Sequence, residues 1–581
     1  MTSSSSNRWL ARALMVLLAV FAVGKVGFVL YNRGVEALSL WRLILVWANG
    51  LPLDVRTSAL LLLIPALCSL QRRLSLRLLL IPYYIVVGIA LSVTIVGDTV
   101  MYEFWQFKLS SAIISYAASP EGATNSVPAS FIVWRLLAVV LFALLIAAAL
   151  YLVTPKRAEA KAWRGLIVTI VIAVLPIGVG SCYQRGQTLF QDHAATNPTF
   201  AFFSSFLLER SFHYMPDDEC ASLVGELYPP TDDLTDTLLL TSTPDILIVQ
   251  VESFSGKFVR ELGGLEGVAP NLSRLIPEGV FFDEYYSNSF RTDRGTVSLQ
   301  SGTLSHPTLS LMRERQYHAS LPSLARSLKE GGYETAYLYG GAYTNMGKRA
   351  YLEDMGFDKL IDGSAFPDSC IRCSWGVHDE VAGAWLKDWL MRQDTPHPRF
   401  VTWQTISSHE PWEVPYSRLS DPVLNAFAYT DQCIGSLVDS LRATPLWDNL
   451  LIIVIPDHGH LYQQTYEDPD FFHSPMLWLG GAVRQPRRVS TLMNQSDIAA
   501  TLLAQLGLPH DDYPYSRNIF SKRYTSPSVY CCFPAGIMLK DTSGVSVFDI
   551  TAREPITEAP SHSDERILKA KAVLQQSYQL H

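Results

Sequence analysis

Apolar residues are massed in the N-terminal third of the chain and give way, past about residue 183, to shorter runs separated by polar breaks. Five stretches are long enough, or nearly so, to cross a hydrocarbon core of about 30 Å: 14–31, 57–70, 78–96, 131–153 and 166–182. The second is the weakest, because Leu53-Asp54-Val55-Arg56 stands just before it. The first lacks an A-x-A-like cleavage site and is followed by more spans, which predicts an uncleaved helix. Residues 1–182 therefore read as a transmembrane domain with five helices. Residues 183–243, with short apolar runs such as Pro198-Thr-Phe-Ala-Phe-Phe, read as an interfacial helical linker, and a Pro/Thr/Asp-rich patch from Pro229 to Pro244 closes it.

From Asp245 the periodicity changes. Ile246-Leu-Ile-Val-Gln-Val is a continuous apolar run rich in β-branched residues, as expected of a strand buried on both faces of a parallel sheet. Similar runs recur at Thr335-Ala-Tyr-Leu-Tyr, Phe400-Val-Thr-Trp-Gln-Thr and Leu450-Leu-Ile-Ile-Val-Ile, with helical stretches between them at 320–330 and 425–441. Strands alternating with helices predict an α/β domain over 244–540 with helices on both sheet faces. The segment 541–581, including an amphipathic helix over 563–579, is expected to pack back onto it.

Composition sharpens this division. Of the 581 residues 49% are apolar and 17% charged, below the usual ~25%. Residues 1–182 carry 15 Lys/Arg against 6 Asp/Glu, a net +9, and the remainder carries 31 against 48, a net −17. An acidic C-terminal part repels phosphate backbones, which argues against nucleic acid as a partner. With a cytoplasmic N-terminus, the inner segments hold nine Lys/Arg (from Arg8 to Arg164) and the outer loops four (Arg33, Arg42, Arg56 and Lys108). Five spans then place the acidic domain outside the cytoplasm. Lys25 and Arg135 fall inside spans within about two turns of an outer end, where snorkelling is the expected outcome. The aromatic stretch 101–107 reads as an interfacial belt.

Chemistry in such sheets collects at the carboxyl ends of the strands. Glu252 follows the first strand, and a carboxylate there is costly unless it binds something. Asp457-His458-Gly459 follows the fourth and offers an oxygen and a nitrogen ligand. Between them, the polar loop Arg291-Thr-Asp-Arg-Gly-Thr296-Val-Ser-Leu-Gln-Ser-Gly302 runs into small hydroxyl residues, as a helix N-terminus would. Glu, Asp, His and one hydroxyl oxygen make a four-ligand set for Mn²⁺, Zn²⁺ or Mg²⁺.

The layout resembles the alkaline-phosphatase/sulfatase superfamily, and within it the lipoteichoic acid synthase family of membrane-anchored phosphoglycerol transferases. The residues that carry the resemblance are Val251-Glu252-Ser-Phe, Gly295-Thr296, Trp375-Gly-Val-His-Asp-Glu380, Ser408-His409-Glu-Pro-Trp, Asp457-His458-Gly, Phe472-His473-Ser-Pro and Ser496-Asp497-Ile-Ala-Ala-Thr-Leu-Leu. The resemblance implies that Glu252, Asp457 and His458 bind a divalent metal, commonly manganese. It implies that Thr296 is both the fourth ligand and the nucleophile, chosen over Ser253, Ser298 and Ser301 by its place after Gly295. His409 is implied to bind substrate phosphate, with His473 near the metal loops. The stretch Tyr339-Gly-Gly-Ala-Tyr-Thr-Asn345-Met346-Gly-Lys348 departs from the Gram-positive pattern toward the Gram-negative branch, and it leaves Asn345 and Lys348 as headgroup contacts.

The implied reaction moves glycerol phosphate from a membrane lipid, phosphatidylglycerol, to an extracytoplasmic polymer, glycan or lipid acceptor through a phospho-threonine. The implied location is the bacterial cytoplasmic membrane. The alternatives are a phosphoethanolamine transferase of the same superfamily, whose branch is usually cysteine-rich, and a non-catalytic lipid-binding scaffold. No Cys or Ser followed by x-Pro-x-Arg occurs, which excludes a true sulfatase. Cys370-Ile-Arg-Cys373 has the spacing for a small disulfide loop in an oxidising compartment.

Overall fold

The computed structural model describes residues 8–105, 108–110, 113, 127–157, 162–174, 189–206, 212–370, 372–392, 396–550, 553–558 and 562–580. The chain divides into two compact units, one of Met1–Ala118 with Val127–Arg210 and the other of Ser211–His581 with Ser119–Ser126.

The first unit is helical. Among the described residues four helices are long and apolar enough to cross a membrane. They are α1 (Arg8–Tyr31), α2 (Leu40–Cys68), α3 (Ile81–Trp105) and α4 (Ala129–Val153). Of the expected fifth span, 166–174 lies in the 13-residue helix α5 (Ala162–Val174), and 175–182 lies outside the described residues.

The second span corrects the sequence reading. The helix begins at Leu40, so Asp54 and Arg56, which were read as its outer edge, lie inside it. Both are accommodated by partners: Lys25 Nζ donates to Asp54 Oδ2 at 2.6 Å, and the Arg56 guanidinium stands over the Phe200 ring. Lys25, expected to snorkel, is 4% exposed and turned inward to this carboxylate. Arg135 lies over the Phe131 ring and donates to the Tyr31 hydroxyl.

Two short helices of the 183–243 stretch, α6 (Leu189–Ala195) and α7 (Pro198–Ser204), belong to this unit. Their polar residues point into it. Asn197 Nδ2 donates to Asp54 Oδ1 at 2.8 Å, His193 Nδ1 meets the Tyr102 hydroxyl at 3.2 Å, and Thr199 meets Thr94 at 2.7 Å. The polar groups freed at this helix break are thus satisfied by neighbouring protein.

The second unit is built on an eight-stranded sheet. In chain order its strands are β1 (Asp245–Val251), β2 (Val280–Phe282), β3 (Glu334–Tyr339), β4 (Lys359–Ile361), β5 (Arg399–Gln404), β6 (Leu450–Pro456), β7 (Met476–Leu479) and β8 (Arg487–Val489). The spatial order is β8-β2-β7-β6-β1-β5-β3-β4. The four runs singled out in the sequence are the adjacent parallel strands β6, β1, β5 and β3. Two large apolar clusters hold the domain. Ile246, Ile248, Tyr337, Ile453 and Ile455 belong to one, and Leu247, Val249, Leu338, Ile452 and Val454 to the other. Alternate residues of a strand thus enter different clusters, as a sheet covered on both faces requires.

Helices α8 (Asp217–Leu227), α9 (Thr292–Ser301), α10 (Asp379–Arg392), α11 (Pro422–Arg442) and α12 (Asp497–Leu506) complete the domain core. A four-stranded antiparallel sheet follows, β9 (Ser528–Phe533), β10 (Gly536–Asp541), β11 (Gly544–Asp549) and β12 (Glu554–Glu558). The C-terminal helix α13 (Ser563–Gln579) lies on this sheet and on α8, where Gln575 Oε1 accepts from the backbone of Tyr214 and Met215. Among the described residues the seven cysteines are free, Cys370 and Cys373 included.

Candidate active site

β1 and β6 are parallel neighbours with Val251 opposite Pro456, so the next residue of each, Glu252 and Asp457, emerges side by side at the strand ends. The backbone is pinned there. Ser253 adopts a left-handed conformation (φ 55°), and its N–H donates to Asp457 Oδ1 at 2.9 Å. The His458 N–H donates to the same oxygen at 2.8 Å. Glu252 is held by the loop after β5, its N–H donating to Thr405 Oγ1 (3.0 Å) and its carbonyl accepting from Ser408 Oγ (2.8 Å).

One ligand atom from each of Glu252, Asp457 and His458 lies within 4.8 Å of the others. His458 Nδ1 stands 2.7 Å from the Gly459 carbonyl, which only accepts, so Nδ1 carries the proton and the Nε2 lone pair faces the two carboxylates. Nε2 lies 3.6 Å from Glu252 Oε1 and 3.8 Å from Asp457 Oδ1. Gly459 is required by packing, since a Cβ there would stand 1.8 Å from the Phe471 carbonyl.

The electrostatics are those of a site built for a cation. Burial pushes the Asp457 carboxyl well above its usual range, and the charge of Glu252 pushes it further. Burial also raises Glu252, but His409 and His458 outweigh it and hold the group below its ordinary value. Burial lowers His458, against the attraction of Glu252. Asp457 Oδ2 is buried with no hydrogen-bond partner. An orphaned buried carboxylate oxygen beside a second carboxylate and an imidazole nitrogen fits a divalent cation.

The structure does not bring Thr296 to this group. Thr296 is fully buried one helical turn deeper, and its hydroxyl accepts from Gln250 Nε2 at 2.7 Å. Two hydroxyls stand at the cluster: that of Ser253, which donates to Glu252 Oε1 at 2.7 Å and lies 3.4 Å from His458 Nε2, and that of Thr292, the first residue of α9. Thr292 Oγ1 lies 3.2 Å from Glu252 Oε2 and 3.4 Å from His458 Nε2. Gly295 has a packing role as well: a Cβ there would stand 2.1 Å from the Asp457 carbonyl, so the glycine lets α9 lie against the strand end. Next to Thr292, the buried Asp293 accepts from Arg294 (3.2 Å), Arg313 (3.0 Å) and Ser310 (2.6 Å). Burial alone would raise its carboxyl, but the two guanidiniums hold it well below the usual range.

The remaining expected residues divide. His409 sits in the loop stitched to Glu252, its ring 4.2 Å from that of Trp375, and it acts electrostatically on Glu252. Lys348 is buried, donates to Gln404 Oε1 at 2.8 Å, and stands 3.9 Å over the Tyr339 ring. Burial lowers it to about 8 against the attraction of Glu252 and Asp457. His473 is engaged elsewhere: Nε2 meets the Asp283 carbonyl at 2.7 Å and the ring stacks on Tyr286. Asn345 lies in the turn Asn345–Gly347, and its side chain falls outside the described residues.

Residues 244–508 match the sequence model of the family described as Sulfatase. This stretch is similar to the sulfatase family. Among curated proteins the chain is similar to phosphoglycerol transferase I of Xanthomonas campestris pv. campestris ATCC 33913, at 27% identity over 330 residues, 51% of this chain and 45% of that protein. It is also similar to lipoteichoic acid synthase of Staphylococcus saprophyticus, at 21% identity over 369 residues, 57% and 56% of the two chains. The chain thus spans about half the length of these relatives. Among solved structures, a protein in the alkaline phosphatase superfamily from Vibrio parahaemolyticus matches with a TM-score of 0.56 at 22% identity, covering 64% of this chain and 97% of that one. The lipoteichoic acid synthase LtaP from Listeria monocytogenes matches with a TM-score of 0.51 at 16% identity, covering 63% and 98%. At these identities the structural matches speak for the fold.

Proposed function

We propose that the chain is a membrane-anchored phosphoglycerol transferase that moves glycerol phosphate from phosphatidylglycerol to an extracytoplasmic acceptor, a polymer, glycan or lipid. The reading is supported above all by one convergence: the Thr292 hydroxyl opens a helix directly against Glu252 and His458, beside Asp457. The names of the relatives support the reaction class. The apolar helices and the Lys/Arg asymmetry of the N-terminal third support an inner-membrane anchor with the α/β domain on the outer side.

Glu252, Asp457 and His458 would hold a divalent cation, Mn²⁺ foremost and Mg²⁺ or Zn²⁺ as alternatives, with Thr292 in place of Thr296 as the fourth group. When bound, such a cation lowers the pKa of a neighbouring hydroxyl and neutralises charge on a phosphodiester. In the proposed reaction Thr292 Oγ1 attacks phosphorus and gives up its proton, the P–O bond to diacylglycerol breaks with a proton taken up by the leaving oxygen, and a phospho-threonine diester remains. An acceptor hydroxyl then displaces Thr292 and takes the glycerol phosphate. His409 and Lys348 would stabilise the phosphate oxygens. Purified protein with Mn²⁺ and fluorescent phosphatidylglycerol tests this. Diacylglycerol release that disappears in Thr292→Ala supports the reading, and preferential consumption of phosphatidylethanolamine would replace it with phosphoethanolamine transfer.

A further inference from the structure

The loop after β5 holds two polar groups that the reaction above leaves unused. It is stitched to the backbone of Glu252 through Thr405 and Ser408, and Glu410 follows two residues later. The Glu410 backbone is fixed by Trp375 Nε1, which donates to its carbonyl at 2.6 Å, and by His409 Nδ1 at 3.1 Å. Among the described residues the Glu410 carboxylate makes no hydrogen bond and no ion pair within 4.0 Å. Burial raises its pKa, the charge of Glu252 adds to the rise, and His409 and Arg291 oppose it.

Two residues further on, Trp412 stands in a left-handed backbone conformation (φ 61°), which is strained for a tryptophan. Among the described residues its Nε1 is buried with no hydrogen-bond partner, and its ring stands edge-on to His460, 6.4 Å away. One loop beside the reacting groups therefore carries an acceptor and a donor with no internal partner. A carboxylate here also repels an anionic phosphodiester. Both observations are accounted for by a neutral group that donates to one residue and accepts from the other, which is the chemistry of a hydroxyl.

We propose that Glu410 and Trp412 form a hydroxyl-binding subsite, occupied by the glycerol of the donor headgroup or by the hydroxyl of the acceptor. The inference rests on the transferase reading for the identity of its ligand. Among the groups that set specificity, it makes the carboxylate the selector of polyols and the indole N–H its complement.

The test uses the full chain in detergent micelles with Mn²⁺. Calorimetric affinity for glycerol phosphate is compared with that for inorganic phosphate. The share of phosphatidylglycerol headgroup passed to added glycerol, and not to water, is measured alongside. A headgroup subsite gives the wild type a preference of about tenfold for glycerol phosphate, the worth of one hydrogen bond to a charged group, and Glu410→Ala and Trp412→Phe remove it. An acceptor subsite instead gives a fall of about tenfold in glycerol's share of product in the same variants. Glu410→Gln, which keeps an acceptor oxygen, restores part of either effect. Values within twofold of wild type in both measurements overturn the proposal. Loss of Mn²⁺-dependent thermal stabilisation in the variants also overturns it, since that marks a structural role. A wild type that releases no diacylglycerol defeats the transferase reading, and the glycerol phosphate preference still decides the subsite.

Discussion

Thr292 presents its hydroxyl to Glu252 at 3.2 Å, whereas Thr296, one turn further along the same helix, is bonded to Gln250 on the far side of the strand end. Two threonines of one motif thus have different work. Thr292→Ala is expected to lower turnover on the order of 10³-fold or more while the protein stays folded. Thr296→Val leaves Gln250 Nε2 buried without its acceptor and lowers stability by about 1–3 kcal/mol. Kinetics and urea unfolding of the two variants, with mass spectrometry locating a trapped glycerol phosphate adduct on the tryptic peptide of residue 292, separate the roles.

Removing the metal should destabilise as well as inactivate. Asp457 is raised by burial and by the charge of Glu252, and a cation held by both carboxylates would offset that repulsion. Saturating Mn²⁺ at about 100 times its Kd adds about 2.7 kcal/mol, a rise of about 2–4 °C in Tm. Scanning calorimetry with EDTA and with Mn²⁺ measures it. Glu252→Gln and Asp457→Asn are expected to melt at the same temperature with or without the ion.

Lys348 predicts the alkaline limit of activity. Burial brings its pKa down to about 8, so its charge is lost as pH rises through that value, and KM for an anionic lipid should rise above it. The sign for stability is opposite. Between about 8 and the ordinary 10.5 the unfolded chain binds more protons, so this group makes the fold more stable as pH rises. Loss of activity without loss of Tm over that window identifies the lysine, and Lys348→Arg, which keeps its charge, should flatten the KM profile.

The charged pair inside the helical unit gives a fourth expectation. Lys25→Met or Asp54→Asn alone should lower the stability of that unit by about 3 kcal/mol, because each strands a buried partner. Replacing both, Lys25→Met with Asp54→Leu, should recover much of it. Denaturant unfolding in micelles, followed by tryptophan fluorescence, reads the difference.

The strand ends were legible in the sequence because their physics is local. A two-sided buried strand announces itself as an unbroken β-branched run, and Glu252 and Asp457-His458 stand out as polar residues at its close. The choice between Thr292 and Thr296 was not legible. Four residues apart, they share one face of a helix about 6 Å apart, and only the exact helix start, Arg291 as cap and Thr292 as first residue, decides which meets the ligands. The glycine that drew attention to Thr296 serves the close approach of α9 to the Asp457 carbonyl. His473 drew attention through its place in the sequence pattern, and in the fold its ring meets the Asp283 carbonyl. The start of α2 was hidden because a hydropathy count cannot see that Asp54 has a lysine and an asparagine waiting for it.

That last arrangement bears on how the protein is made. Lys25 and Asp54 are 29 residues apart, and Asn197 follows Asp54 by 143. During synthesis the first two helices can neutralise one another as a hairpin soon after leaving the ribosome, while the amide that completes the carboxylate's shell arrives much later. The ionic pair is thus suited to docking the second helix on the first, and the late-arriving asparagine to sealing the bundle once the remaining helices are in place.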